Sequence, residues 1–308
     1  MNIIITGPLG HIGSKLIEEI HSMKNLKKIY LIDNASSNNL NVLFNLKTKK
    51  KKFIFINEDL KNQDLLNNIN SKIHLVIHLA SITNAEQSFK NKEEVINNNL
   101  TVFNNVLKYC LKKKVKLMHI SSTSVYGIQK NIVSESTSAL RPQSPYADVK
   151  LKEEIILQKN KNKLKFVTFR FGTITGTSKG MRFHTAVNKF CFNTIIKKEI
   201  PVWNDALDQF RPYLSLDDAI KTIIFFINRN LFNGEIYNVL TRNYTVRNIL
   251  DLIKKNGYKM KIKKTNSPVL NQNSYLVSKK KIENLQLRFR KNINRDIKNT
   301  LNLLKKLY

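Results

Sequence analysis

The segment Ser144-Pro145-Tyr146-Ala147-Asp148-Val149-Lys150 sets a phenol and an ammonium four residues apart, just after a Ser-Pro helix-start signal. Residues at i and i+4 share a helix face, so Tyr146 and Lys150 can address one point. A free tyrosine titrates at about 10 and is a poor base near neutrality. An ammonium a few ångströms away favours the phenolate, so the pair is expected to lower the Tyr146 pKa. A phenolate beside an alcohol can take its proton while hydride leaves the carbon. The pattern Y-x-x-x-K also arises by chance in a lysine-rich chain, so its meaning depends on the elements around it.

Those elements alternate. Apolar β-type runs are read at residues 2–6, 28–32, 53–56, 74–79, 116–120 and 166–171. Helical runs are read between them at 11–21, about 64–70, 98–113 and 146–159. Strands separated by helices predict an α/β, doubly wound parallel Rossmann sheet. The alternation weakens after about residue 176. Helices follow at 217–228 and 245–256, and residues 292–308 read as an amphipathic closing helix. This predicts a smaller, integrated C-terminal α/β lobe. The division expected is residues 1–170 plus about 212–238 for the nucleotide-binding domain, and about 171–211 plus 239–308 for the substrate lobe.

Gly7-Pro8-Leu9-Gly10-His11-Ile12-Gly13 joins the first strand to the first helix. Glycines at 7, 10 and 13 permit a tight turn and close approach of backbone to a pyrophosphate, with the helix N-terminus supplying N–H groups. The spacing is G-x-x-G-x-x-G rather than the commoner G-x-G-x-x-G, and the bland alternative is an ordinary strand–helix turn. Asp33 ends the second strand and, with Asn34 beside it, can accept the ribose hydroxyls of an adenosine while repelling a 2′-phosphate. It can equally be a loop or capping aspartate. Asp59 and Leu60, after the third strand, can reach the adenine edge, or Asp59 can cap the next helix. Small residues in Leu79-Ala80-Ser81 leave room for a cofactor across the sheet edge. Asn98 opens the next helix. Ile120-Ser121-Ser122-Thr123-Ser124-Val125-Tyr126-Gly127 puts hydroxyls at a strand's carboxyl end, where open α/β sheets bind ligands. A serine there can bond the oxygen that Tyr146 deprotonates; the alternative is a polar turn.

Taken together, these motifs resemble the extended short-chain dehydrogenase/reductases, the NAD-dependent nucleotide-sugar epimerases and dehydratases. The resemblance implies NAD as cofactor. It implies that Ser122 is the catalytic hydroxyl, Tyr146 the base and Lys150 the lysine that binds the nicotinamide ribose, with Asn98 supporting that lysine through water. Ser121 would line the cofactor site. Arg170-Phe171-Gly172-Thr173-Ile174-Thr175-Gly176 resembles the family's R-x-F-N-x-Y-G stretch, with Thr173 for its asparagine and Thr175 for its tyrosine. The segment from Gly180 to Asn188, containing Arg182, resembles one from members that act on bacterial cell-surface sugars. Arg211-Pro212-Tyr213-Leu214-Ser215-Leu216-Asp217-Asp218 resembles a segment whose arginine clamps a nucleotide diphosphate, a role suited to the guanidinium fork. Thr123, Thr173, Arg182, Asn188 and Arg211 are therefore the expected substrate contacts, though Arg182 could be a surface charge and Arg211 a structural ion pair.

The implied chemistry is oxidation of a sugar hydroxyl, usually at C4. The family's 4,6-dehydratases carry Asp and Glu directly after the catalytic hydroxyl, where this chain has Thr123 and Ser124. The expected reaction is 4-epimerisation of a nucleotide-diphospho-sugar or polyprenyl-diphospho-sugar, in bacterial surface polysaccharide synthesis. The alternatives are a C4 dehydrogenase or reductase, or a non-catalytic NAD- or RNA-binding member of the fold. Family members dimerise through a four-helix bundle, so a homodimer is expected, with apolar stripes on the helices at 98–113 and 146–159.

The 308 residues carry 53 basic and 22 acidic side chains, a net +31. Such charge can attract nucleic acid or an anionic membrane. Lysine, however, far outnumbers arginine and accompanies abundant asparagine and isoleucine, as codon bias would give. No specific nucleic-acid partner is expected, and loose membrane-surface association is the minority reading. The runs 47–52 and 111–116 are read as solvated turns before strands. No apolar run reaches the ~18 residues of a membrane span. The N-terminus shows no signal-peptide pattern, which predicts a cytoplasmic protein. Cys110 and Cys191 show no metal-ligand spacing, so no metal is expected.

Overall fold

The computed structural model describes residues 1–44, 46, 52–83, 87–203, 206–266 and 274–306. β1 (Ile3–Thr6), α1 (His11–Glu19), β2 (Lys28–Asp33), β3 (Lys52–Asn57) and β4 (Leu75–His78) form its first half. α2 (Lys92–Lys113), β5 (Lys116–Ser122), α3 (Pro145–Lys159) and β6 (Phe166–Phe171) follow. The lobe that comes next holds β7 (Thr173–Thr175), α4 (Ala186–Ile195), β8 (Ile200–Trp203) and β9 (Phe210–Ser215). α5 (Leu216–Asn228) and β10 (Ile236–Val239) return to the first body. β11 (Arg242–Thr245), α6 (Val246–Lys255), β12 (Ile262–Thr265), α7 (Lys280–Glu283) and α8 (Asn294–Lys305) complete the chain.

Seven strands form one parallel sheet in the order β10-β6-β5-β4-β1-β2-β3. Strand order reverses beside β1, which pairs with β2 on one side and β4 on the other. The crevice outside the strand ends at such a reversal is where open α/β sheets take ligands. Every residue of β1 is buried, because helices cover both faces. Alternation then sorts the side chains. Ile3, Ile5, Leu75 and Ile77 join the core under α1 and α5, whereas Ile4, Val76 and Phe103 join the core under α2 and α3.

The lobe carries a three-stranded sheet, β11-β9-β7, the pair β12-β8, and its own core around Phe190, Tyr213, Ile253 and Leu301. β10 pairs with β6, so the first part of the lobe is spliced between two adjacent strands of the main sheet, and β11, α6, β12 and α8 add to it after β10. The expected division gave 239–308 to the lobe, but Ile282 and Leu287 pack in the core of the main sheet. The chain thus crosses back once more after β12.

Several elements depart from the sequence reading. Residues 64–70 form irregular turns, not a helix. The stretch is rich in asparagine, whose side chains compete for backbone groups. Asn98 does not open its helix, because α2 begins at Lys92. The expected apolar stripe on α3 is a buried face that includes Lys150, Glu153 and Glu154. The basic run at 47–51 and the end of the closing helix at 307–308 lie outside the described residues. Among the described residues, no helix is long and apolar enough to cross a membrane.

Candidate active site

A cleft of about 950 Å³ opens along the carboxyl ends of the sheet strands, between the sheet and the lobe. Its glycine loop is built by steric necessity. Gly7 holds φ +67°, and a Cβ there would stand 2.7 Å from the Ala80 nitrogen. A Cβ on Gly13 would stand 2.3 Å from the Gly7 carbonyl oxygen. Gly10 is the N-cap of α1, whose first turn has no acidic residue and whose cap has no side-chain bond. The glycines let the loop close tightly on its own backbone and on Leu79 and Ala80, and the uncapped helix N-terminus it leads into fits the pyrophosphate of a dinucleotide. His11 Nε2–H donates to the Gly176 carbonyl at 3.1 Å, and burial lowers its pKa to about 4, so the ring is neutral. Ser14 Oγ donates to Ser178 at 2.9 Å. The glycine helix is therefore stitched to the lobe.

Asp33 Oδ2 accepts the Leu9 amide at 3.1 Å and Oδ1 accepts Ala35 at 3.0 Å. Burial pushes its carboxyl above the ordinary value, against the pull of those two amides. The aspartate thus shapes the loop while lining the cleft, so the two alternatives read from the sequence coincide. Asn34 donates to Asp59 Oδ2 at 3.3 Å, and Asp59 Oδ1 accepts Lys61 N at 2.8 Å, capping a turn rather than a helix. Leu60, Leu79, Ala80 and Ser81 complete this end. Thr6 Oγ1 accepts the amides of Leu79 and Ala80 at 3.1 and 3.2 Å and gives its proton to His78 Nδ1 at 2.8 Å.

At the other end, β5 delivers Ser121 and Ser122. Ser121 Oγ donates to Glu154 Oε1 at 2.5 Å, and Glu154 is clasped by Arg170 at 2.6 and 3.0 Å. Ser122 Oγ accepts Ser124 N at 3.1 Å and Ser124 Oγ at 2.8 Å. With both lone pairs occupied, its own proton is left to donate. Thr123 is buried, with Oγ1 3.4 Å from the Phe171 carbonyl oxygen. Ser144 caps α3 by accepting Ala147 N at 3.2 Å, and Pro145 sits in the first turn, which fixes where Tyr146 stands.

Tyr146 and Lys150 share the cleft, with the ammonium 5.9 Å from the ring centroid. The expected lowering of the phenol pKa is not what the structure gives. Burial pushes Tyr146 above its ordinary value; Lys150 pulls it down, and Glu153 pushes it up again. Lys150 Nζ donates to Glu153 Oε2 at 2.8 Å.

Thr173 is exposed on the cleft side of the lobe. Thr175 turns away, bonding Asp296 Oδ2 at 3.0 Å. Arg182 reaches over the glycine loop. Its guanidinium lies 3.4 Å from where a Gly10 Cβ would be, and it donates to Thr83 Oγ1. Asn188 does not line the cleft; it is buried behind it and donates to the Arg182 carbonyl at 2.9 Å. Arg211 lines the cleft with its guanidinium 5.5 Å from the Tyr275 ring centroid. Asn98 is a partly buried lining residue donating to Asn99 Oδ1 at 3.2 Å. The buried amide of this pair is Asn99, which brackets the Ile82 backbone at 2.8 and 3.0 Å.

Sequence reasoning missed Asn99, Glu153 and Tyr275. An Asn-Asn-Asn run hides which member faces inward. Tyr275 belongs to no motif and reaches Thr123 at 3.5 Å only through folding.

A family model described as the NAD dependent epimerase/dehydratase family matches residues 3–239. An uncharacterized UDP-glucose epimerase of Bacillus subtilis (strain 168), YtcB, is 29% identical over 248 residues, covering 78% of this chain and 76% of that protein. A dTDP-D-glucose 4,6-dehydratase of Dictyostelium discoideum is 29% identical over 273 residues, covering 82% of this chain and 61% of the other. Among solved structures, UDP-glucuronic acid 4-epimerase from Bacillus cereus, in complex with UDP-glucuronic acid and NAD, is 25% identical with a TM-score of 0.90 and full coverage of both chains, 100% each. The match to the family model runs from the first strand of the sheet to the last, and the chain belongs to the NAD-dependent epimerase/dehydratase family.

Proposed function

We propose that the chain is an NAD-dependent nucleotide-sugar 4-epimerase. The observation that carries this reading is the double acceptance at Ser122, which leaves its hydroxyl proton to donate, in a cleft that both Ser122 and Tyr146 line. Such a donor orients a sugar oxygen while the phenol exchanges that oxygen's proton. NAD, when bound, accepts a hydride from the sugar carbon and returns it. Lys150 holds positive charge beside the phenol, and Arg211 clamps the diphosphate of the substrate. Arg182 stands between the cofactor and substrate ends. The glycine loop, Asp33 and Asn34 hold the cofactor.

Thr123 and Ser124 occupy the two places after Ser122. Neither hydroxyl shuttles a proton between neighbouring sugar carbons near neutral pH, which weighs against 4,6-elimination even though several relatives are 4,6-dehydratases. The solved UDP-glucuronic acid 4-epimerase supports UDP-sugars as the first substrates to try. A role in bacterial surface polysaccharide synthesis is part of this proposal.

The test is native mass spectrometry for retained NAD. It is followed by NMR of UDP-glucuronic acid, UDP-glucose and UDP-N-acetylglucosamine incubated without added cofactor. A C4 epimer is the expected product. Strict demand for added NAD or NADH with net redox would replace this reading with a C4 dehydrogenase. A 4-keto-6-deoxy product would replace it with a dehydratase.

A further inference from the structure

Lys150, Glu153 and His119 form a closed charged cluster beneath the cleft. Lys150 Nζ and His119 Nε2 both donate to Glu153 Oε2, each at 2.8 Å. All three side chains are buried, with exposures of 3%, 1% and 0%. His119 is held in turn by Thr168 Oγ1 at 3.4 Å and by the edge of Phe103.

Burying such a pair is not a route to stability, since apolar residues of like volume do as well. Nor is Glu153 needed to dock α3, because the neighbouring Glu154 already binds Arg170 on β6 with three bonds. What Glu153 touches is the ammonium expected to act on Tyr146. Residues 146, 150 and 153 follow one another on one helix face, at i, i+4 and i+7.

We propose that Glu153, held at the same carboxylate oxygen by His119, is the positioning residue that pins the Lys150 ammonium and cancels part of its pull on Tyr146. This rests on the reading of Tyr146 as the base. A lysine alone would present a full unit charge to the phenol. The ion pair presents a dipole, which falls off faster with distance. Burial alone would lower Lys150, but the Glu153 carboxylate overcomes it and keeps the amine charged. Burial likewise works against Glu153, which Lys150 and His119 hold down at about 2. The other charged or titratable groups facing the cluster are Tyr146 and Glu154 on α3, His78 on β4, Arg170 on β6 and Arg182 from the lobe. Glu154 is neutralised by Arg170, and burial keeps His78 neutral with its pKa lowered to about 3.

The test is the near-ultraviolet phenolate absorbance of the NAD-loaded full chain, titrated with pH and taken as a difference against Tyr146→Phe. Glu153→Gln keeps the shape and removes the charge. With Lys150 still charged, as ε-13C lysine NMR of the same variant reads, its Tyr146 midpoint is expected about one to three pH units below wild type. Loss of the Lys150 charge in this variant would equally show that Glu153 holds the ammonium. Glu153→Asp, which keeps the charge, should stay near wild type. A Glu153→Gln midpoint equal to wild type with Lys150 still charged overturns the proposal. If Glu153→Gln does not fold, NMR of wild type labelled with ε-13C lysine serves, with Lys150 assigned by Lys150→Arg. An ammonium that persists through the free-lysine midpoint supports the proposal, and one lost below it overturns it. Turnover by Tyr146→Phe is measured separately: if it matches wild type, the reading of the base fails, whatever the phenol titration shows.

Discussion

Ser124 holds Ser122 twice, once through its amide and once through its hydroxyl, at 3.1 and 2.8 Å. The arrangement occupies both lone pairs of Ser122 and leaves its proton to donate. Ser122→Ala is expected to reduce kcat by about 10²–10³-fold, the usual loss when one aimed donor is removed. Ser124→Ala loses only the hydroxyl half of the support and should cost far less. Steady-state kinetics on the UDP-sugar found to turn over would measure both. Equal losses would mean that Ser124 has a chemical role of its own.

Gly13→Ala places a methyl group 2.3 Å from the Gly7 carbonyl oxygen, and the nearby Pro8 backbone offers no slack. The variant is expected to purify without NAD, and to melt several degrees lower if the loop shifts to admit the methyl. Native mass spectrometry reads the first effect and a thermal melt the second.

His11 gives the fold a pH dependence of calculable sign. Its folded pKa of about 4 lies below the ordinary 6.5, so the unfolded chain binds its proton first as pH falls. Its contribution is intact above 6.5 and drains away between 6.5 and about 4. His78, lowered to about 3, acts in the same direction. Asp296, raised to about 6, opposes them below that pH. Urea midpoints at pH 7 and 5 should show wild type weakening, and His11→Gln should weaken less over that interval.

Arg211→Ala should raise KM for a UDP-sugar by about tenfold or more with a smaller change in kcat, because a charge-assisted bond to a phosphate is lost. Arg211→Lys should recover part of it, as a point charge without the fork. A change confined to kcat would remove the clamp role.

α2 and α3 pack side by side against the sheet, and Ile155 stands 47% exposed on α3. If these helices pair with those of a second copy, light scattering at micromolar concentration will report twice the monomer mass. Ile155→Lys should then shift the protein toward monomer. A monomeric wild type ends this prediction.

The sheet was legible because parallel strands buried on both faces read as short apolar runs, as at residues 3–5 and 75–77. The glycine loop was legible because sterics leave no other residue at Gly7 and Gly13. What escaped was set by burial rather than pattern. The face that α3 buries holds Lys150, Glu153 and Glu154, so no apolar period marks it. The acidity of Tyr146 was given the wrong direction because a lysine four residues away is visible in the sequence and desolvation is not. Tyr275 joins the cleft from far along the chain, and nothing local announces it.

The chain enters the lobe from β6, returns to the sheet through α5 and β10, and then enters the lobe again for β11, α6, β12 and α8. The lobe cannot be exchanged for another by a single join. A chimera with one crossover after Phe171 would import the sheet's outermost strand and the α7 strap along with the new sugar pocket. Exchanging the whole lobe while keeping α5, β10 and α7 native takes several simultaneous splices, which favours evolution of substrate preference by altering residues in place.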